Sequence, residues 1–156
     1  MSRIPRRRGA PRQPDDLPVV IVFTEGSKTE VDYINHWYRK HRTRVRVIVD
    51  DFHGVPASLV DSAAARKKRE AAAGRRQRGA AIRTANEYWC VFDIDQHPNV
   101  PASIDKARGN EIEVAISNPC IEPWFLLHFE DRTASIRRHE AQRLAKRHLG
   151  SGKSLA

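Results

Sequence analysis

An α/β fold is predicted by three features of this 156-residue chain. Two short apolar runs, Val19-Val20-Ile21-Val22-Phe23 and Tyr88-Trp89-Cys90-Val91-Phe92, have the length and the β-branched or aromatic content of buried strands. The first run is followed by an amphipathic segment and a second strand-like run, a βαβ pattern of about thirty residues. Each of the two apolar runs also ends in acids, Thr24-Glu25-Gly26 after the first and Asp93-Ile94-Asp95 after the second. Ligands of open α/β sheets bind outside the carboxyl ends of parallel strands, so Glu25 and the Asp-x-Asp are expected to converge.

The elements follow in order. Residues 1–17 hold Arg3, Arg6, Arg7, Arg8 and Arg12 among prolines, with only Ile4 and Leu17 as large apolar residues, and are expected to be a disordered basic arm. The folded domain is expected over 18–156. After the first strand, Gly26 and Ser27 make a turn, and residues 29–40 carry Val31, Ile34, Trp37 and Tyr38 at helical spacing. Residues 45–50 alternate only weakly and read as a strand covered on both faces. Pro56 opens a helix with Leu59, Val60 and Ala63 on its apolar stripe, running to about residue 82. That stripe fades after Ala65, so the distal half is expected to project beyond the core, weakened by Gly74 and Gly79. Residues 88–92 are the third strand, 101–107 a short helix, and 112–116 the fourth strand. Residues 119–129 are apolar enough to predict a buried helix, with Trp124 and Phe125 in the core, and residues 134–148 a last helix.

Composition narrows the class. A chain of this length buries a single core. No apolar stretch approaches the ~18 residues of a membrane span, and no secretory apolar region follows the first arginines. A soluble, cytoplasmic protein without a membrane partner is expected. Cys90 and Cys120 form neither a disulfide framework nor a zinc spacing and read as buried small apolar residues. Lysine and arginine number 28 against 19 acids, a net charge of +9. Arg66, Lys67, Lys68, Arg69, Arg75, Arg76 and Arg78 form one dense group, the footprint of a phosphate-backbone binder, although a solvated helix face has the same composition. With the basic arm, this group is expected to surround the carboxylate site.

The residue types at the strand ends point to metal chemistry. Glu25, Asp93 and Asp95 are three hard oxygen ligands, suited to Mg²⁺ or Mn²⁺. Asp93 and Asp95 are two apart and share one face of a strand; the plainer reading is a helix N-cap pair or a turn. Glu25 is read as a ligand of the same ion or as a general acid/base. Glu30, in the first turn of the first helix, is a candidate for a second metal, with a helix-dipole role close behind. Glu122 lies among apolar residues, where a carboxylate must find a cation, a donor or a metal, and a catalytic role, binding a second metal or supporting its ligands, is preferred to a structural ion pair. His97 is read first as a surface-loop histidine and second as a proton shuttle. Ser117 and Asn118 are candidates to contact phosphate on the same rim.

Three segments carry a resemblance. They are Val22-Phe23-Thr24-Glu25-Gly26-Ser27-Lys28-Thr29-Glu30, then Trp89-Cys90-Val91-Phe92-Asp93-Ile94-Asp95-Gln96-His97-Pro98, then Ser117-Asn118-Pro119-Cys120-Ile121-Glu122-Pro123-Trp124-Phe125-Leu126-Leu127-His128-Phe129. In this order they resemble the RloB-like family of prokaryotic defence proteins, a branch of the toprim fold. The resemblance implies a mostly parallel four-stranded sheet with helices on both faces. It implies that Glu25, Asp93 and Asp95 hold Mg²⁺ for phosphodiester chemistry, as in a nuclease of an anti-phage or abortive-infection system. It also implies an ATPase partner of the ABC/AAA type. RloB-like proteins usually run on past the Leu-Leu-His-Phe segment through a Tyr-x-Lys-like element that Lys153 echoes, so by resemblance the chain stops early. A basic residue there would stabilise phosphate charge.

Two other readings stand beside the nuclease. One is a non-catalytic nucleic-acid-binding or adaptor subunit, against which the intact acids argue. The other is a phosphotransfer enzyme of the haloacid dehalogenase type, whose motif Phe92-Asp93-Ile94-Asp95 imitates; the Gln96-His97-Pro98 that follows and the ninety or so residues before it count against this. Whether the chain forms a homo-oligomer is left open by the sequence.

Overall fold

Four parallel strands form the sheet, in the order β2-β1-β3-β4. The computed structural model describes residues 17–76, 86–94 and 97–150. The elements are β1 (Val19–Thr24), α1 (Thr29–His41), β2 (Arg46–His53), α2 (Pro56–Arg76), β3 (Glu87–Asp93), α3 (Val100–Gly109), β4 (Glu113–Ser117), α4 (Glu122–Leu126) and α5 (Arg138–Leu149). The α/β class and the parallel sheet are as the sequence predicts. No helix among the described residues is long and apolar enough to cross a membrane.

Strand order explains where the core sits. The chain leaves β1 toward β2 on one side and then returns past β1 to β3 and β4 on the other. With right-handed crossovers this puts α1 on one face and α2 and α3 on the opposite face. Alternate residues of each strand serve the two faces. Ile21, Phe23, Tyr88, Cys90 and Phe92 pack with Leu59, Val60 and Ala63 of α2 and with Val100 and Ala107 of α3, forming the main core. On the α1 face, Val20, Val22, Trp89 and Val91 are less fully covered. There α1 and α4 leave an apolar recess of about 370 Å³, walled by Tyr33, Trp37 and Trp124.

Several boundaries and exposures differ from expectation. The strand predicted over 45–50 runs from Arg46 to His53, and its residues are half-buried or exposed because β2 is a sheet edge. A register shift between Val22 and Thr24 of β1 accommodates its length. The buried helix expected over 119–129 is only the five residues of α4. Phe125 is 1% exposed, whereas Trp124 is 36% and Leu127 58% exposed. A short segment laid over the sheet rim buries one stripe, and the apolar residues on its other sides remain at the surface. The helix α5 begins at Arg138 rather than near residue 134.

The helix α2 continues through Gly74 to Arg76, and its last buried residue is Ala63. Its distal half does not simply project, because Arg66, Lys67 and Glu70 are half-buried and bonded to Asp50, Glu111, Asn86 and Tyr88, and the expected run to about residue 82 lies outside the described residues. Because α2 descends from the carboxyl end of β2 toward the amino end of β3, its two ends lie at opposite edges of the sheet. Glu70 marks the lower level: Asn86 Nδ2 and Tyr88 Oη donate to its Oε2 at 2.6 and 2.7 Å.

Candidate active site

The chain changes direction between β1 and β3, and it is the carboxyl ends of these two strands that carry the acids. Glu25 immediately follows β1. Its amide donates to the Val91 carbonyl at 3.0 Å, extending the β1–β3 ladder by one residue. Its side chain turns back across the same pair of strands: Oε2 accepts the Asp93 amide at 3.0 Å, and Oε1 lies 2.8 Å from His97 Nε2. Two strand ends and a loop are thus joined through one carboxylate.

The turn that aims Glu25 is fastened from below. Thr24 is wholly buried, and its hydroxyl donates to the Gly26 carbonyl at 2.8 Å. His53 Nδ1, on β2, lies 3.1 Å from both Thr24 Oγ1 and the Thr24 carbonyl. The threonine proton is already committed to Gly26, so the ring donates from Nδ1. Gly26 has a steric reason: a Cβ there would overlap the Glu30 carboxylate, with Oε1 at 2.8 Å. Glu30, in the first turn of α1 and only 9% exposed, therefore packs directly on the turn.

Asp93 ends β3 opposite Ser117 of β4. It is buried; its Oδ2 accepts from Arg138 Nη2 at 3.2 Å. Its Oδ1 is buried with no hydrogen-bond partner, and so is Ser117 Oγ. Burial, then the charge of Glu25, push the Asp93 carboxyl up to about 7; Arg138 pulls it down, and Glu30 and Glu122 push it further up. Glu122 is the first residue of α4 and 3% exposed. Beside it, the Cys120 thiol is pushed up to about 12 by burial and by Glu122. Glu25, Glu30, Asp93 and Glu122 therefore share one electrostatic neighbourhood, with Arg138 as a countercharge.

Carboxylate oxygens are the donors that a hard divalent cation takes, and Glu25, Glu30, Asp93 and Glu122 are the described residues that could hold one. Asp93 Oδ1 is a buried carboxylate oxygen without a hydrogen-bond partner, among three further carboxylates, although Arg138 binds the other oxygen. Among the described residues, no three His, Cys, Asp or Glu side chains are already gathered about a common point that would hold a metal ion. Glu25 is turned instead onto the Asp93 amide and His97. Asp95 lies outside the described residues, as does Lys153.

Other expected residues are distributed differently. His97 is not a free surface-loop histidine but a half-buried partner of Glu25. Arg138 was not legible as a site residue. It follows Arg137 in a stretch of ordinary basic composition, and only the docking of α5 brings it to Asp93. The basic group of α2 does not surround the carboxylates. Arg66 is engaged by Asp50 at 2.6 Å and Glu70 at 2.8 Å, and Lys67 by Glu111 at 2.8 Å and the Asn110 carbonyl at 2.8 Å. Lys68, Arg69 and Arg75 are exposed, Arg76 ends α2, and Arg78 lies outside the described residues, as does the basic arm. Glu70 sits at the level of Tyr88, five residues below Asp93, or about 17 Å at ~3.3 Å per strand residue. Arg75 is farther away still.

Comparisons with known proteins agree with the sequence segments quoted above. No curated protein and no solved structure matches the chain. A family model described as RloB-like protein matches residues 20–154, from the second residue of β1 through α5. The chain belongs to the RloB-like protein family.

Proposed function

We propose that this RloB-like protein is a metal-dependent nuclease that hydrolyses phosphodiester bonds of DNA or RNA. The observation that carries this reading is the meeting of Glu25 and Asp93 at the reversal point of a parallel sheet, with Asp93 Oδ1 buried and unpartnered. Glu25 and Asp93, with Asp95 and Glu30, are the residues that would hold Mg²⁺ or Mn²⁺. Bound there, the ion would polarise a phosphoryl oxygen and supply a nucleophilic water at neutral pH. The all-parallel sheet is compatible with the toprim architecture that the family resemblance implies.

The remaining steps belong to the chain's own groups. The Asp93 amide holds Glu25 Oε2, which fixes the carboxylate plane, and a proton is shared between Glu25 Oε1 and His97 Nε2. Placed on the rim, this pair can take a proton from the attacking water or return one to the leaving oxygen. Arg138 brings a fixed positive charge to the same rim, where phosphoryl oxygens are bound. Service in an anti-phage or abortive-infection system with an ABC/AAA-type ATPase is part of the proposal and rests on family resemblance.

A second reading, a nucleic-acid-binding or adaptor subunit without catalysis, is favoured by one observation. The exposed Lys68, Arg69 and Arg75 lie toward the edge of the sheet opposite the acids, so nucleic acid can be held there independently of any cleavage. Incubating the wild type, Glu25→Ala and Asp93→Ala with plasmid, single-stranded DNA and tRNA in Mg²⁺ or Mn²⁺ separates the two. Cutting that needs the metal and is lost in both variants supports the nuclease. Retained nucleic-acid binding, with no cutting of any substrate by the wild type, supports the adaptor.

A further inference from the structure

We propose that the exposed basic face of α5, made by Arg143, Lys146 and Arg147 with Arg137 ahead of them, binds the sugar–phosphate backbone of a nucleic-acid strand and leads it to the acids at the end of β3. This role deepens the nuclease reading, on which it rests for its direction, by naming where the substrate is held. The binding itself needs neither metal nor cleavage.

Helical geometry gathers the charges on one side. At about 100° per residue, Arg143, Lys146 and Arg147 fall within one arc of α5, roughly opposite the buried Ala141 and Ala145 that seat the helix. All three are exposed, and so is Arg137 just before the helix. Against them α5 carries a single acid, the half-buried Glu140. Among the described residues, none of these four cations makes an ion pair or a side-chain hydrogen bond, unlike Arg66 and Lys67 of α2. The helix dipole accounts for cations in the last turn but not for Arg143 ahead of it. Arg143 and Arg147 also stand four apart, a like-charge pair that opposes the helix. Phosphates lying along this face relieve that repulsion.

The docking of α5 gives the stripe its direction. Its first residue, Arg138, donates from Nη2 to Asp93 Oδ2 at 3.2 Å and to the Pro119 carbonyl at 3.1 Å, so the helix starts at the acids. At ~1.5 Å per residue, Arg143 and Arg147 follow about 7.5 and 13.5 Å farther along the axis. The helix packs on α4, whose Trp124 and Phe125 meet Tyr33 of α1 with ring centroids 6.1 and 5.0 Å apart. The stripe therefore lies on the α1 side of the sheet, whereas α2 covers the other side. A backbone held by α5 is aimed at Asp93, and one held by α2 is not. Two of the three residues are arginines, whose planar fork suits phosphate oxygens.

The test is metal-free fluorescence anisotropy on the full chain, with a labelled single-stranded DNA, the same sequence as RNA, and a DNA duplex as probes. Arg143→Glu/Lys146→Glu/Arg147→Glu is compared with Arg39→Glu/Arg42→Glu/Arg44→Glu, an equal change of charge at the exposed far end of α1. The expected result is binding at least about tenfold weaker at low salt in the α5 variant, with its single-strand salt slope reduced by about two, and a loss of about threefold or less in the control. A benzophenone on Ser135→Cys, three residues before Arg138, should crosslink to the bound strand, and one on Thr43→Cys should not. Cys90 and Cys120 are buried, so the label stays on the introduced thiol. If thermal melting shows that the glutamates unfold the protein, Arg143→Gln/Lys146→Gln/Arg147→Gln takes their place, with the same ordering expected. Absence of binding by the wild type, equal losses in the α5 variant and the control, or crosslinking at Thr43→Cys in place of Ser135→Cys overturns the proposal, even where the wild type cuts nucleic acid. The expected binding and crosslinking, without cutting of any substrate in Mg²⁺ or Mn²⁺, supports the α5 surface and overturns the nuclease reading instead.

Discussion

Asp93 concentrates the chemistry of the molecule because its environment opposes its charge. An acid whose carboxyl rises from 3.8 to about 7 on folding costs nothing below pH 3.8, where folded and unfolded chains are both protonated. Between these values the unfolded chain ionises first, so stability falls as pH rises, and the loss is complete above about 7. Asp93→Asn removes that penalty. In the absence of metal this variant should melt at a higher temperature than the wild type at pH 8, and the two should converge near pH 4. Differential scanning calorimetry across that range checks this, and a variant no more stable than the wild type at pH 8 would remove the idea of a charge in need of a cation. The neighbouring residues divide by how local their cause is. Glu25 and Asp93 are legible because they end apolar runs, whereas His97 meets Glu25 across 72 residues of sequence, which no local pattern shows.

At the scale of elements, α4 shows how composition and packing part company. Its apolar sequence predicts burial throughout, yet neighbouring aromatic residues meet opposite fates. Phe125 is 1% exposed and lies in an edge contact with Tyr33 at 5.0 Å, while Trp124, 36% exposed, stands at the wall of the recess. Phe125→Ala should cost about 3–5 kcal/mol, the usual range for a large buried aromatic, and Trp124→Ala clearly less. Urea denaturation of both variants measures the difference, and equal costs would mean that the recess is closed in solution. The helix α1 was legible nearly to the residue because its apolar spacing and its role as cover for the sheet coincide. The segment 119–129 was not, because hydrophobicity specifies that a surface prefers burial without specifying what is available to cover it.

At the scale of the whole molecule, the two charged groups lie toward opposite edges. The acids stand at the carboxyl ends of β1 and β3, and the exposed Lys68, Arg69 and Arg75 lie toward the amino edge, along the descending α2. Exchanging these three residues for glutamate should weaken binding of a mixed-sequence duplex at least tenfold at low salt and flatten its salt dependence. Mn²⁺ binding should be unchanged, because at this separation most of the charge effect is screened at physiological ionic strength. Fluorescence anisotropy and calorimetry on the same variant give both readings; unchanged duplex binding would leave α2 a solvated face. Arg66 and Lys67 are left out of that substitution because their ion pairs tie α2 to β2 and to the residues before β4.

The sequence by itself determined the α/β class, the succession of strands and helices along the chain, the family, and the candidacy of Glu25 and Asp93, all of which depend on short-range periodicity or on short local motifs. Tertiary structure alone decided that Glu25 accepts the Asp93 amide, that Arg138 reaches Asp93 from 45 residues away, and that Arg66 and Lys67 are engaged by Asp50 and Glu111. These are long-range facts. Local pattern encodes which face of an element is buried, but the partner across a sheet or between helices is chosen by crossover direction, strand order and the fit of packed surfaces, and none of these has a signature within a window of neighbouring residues.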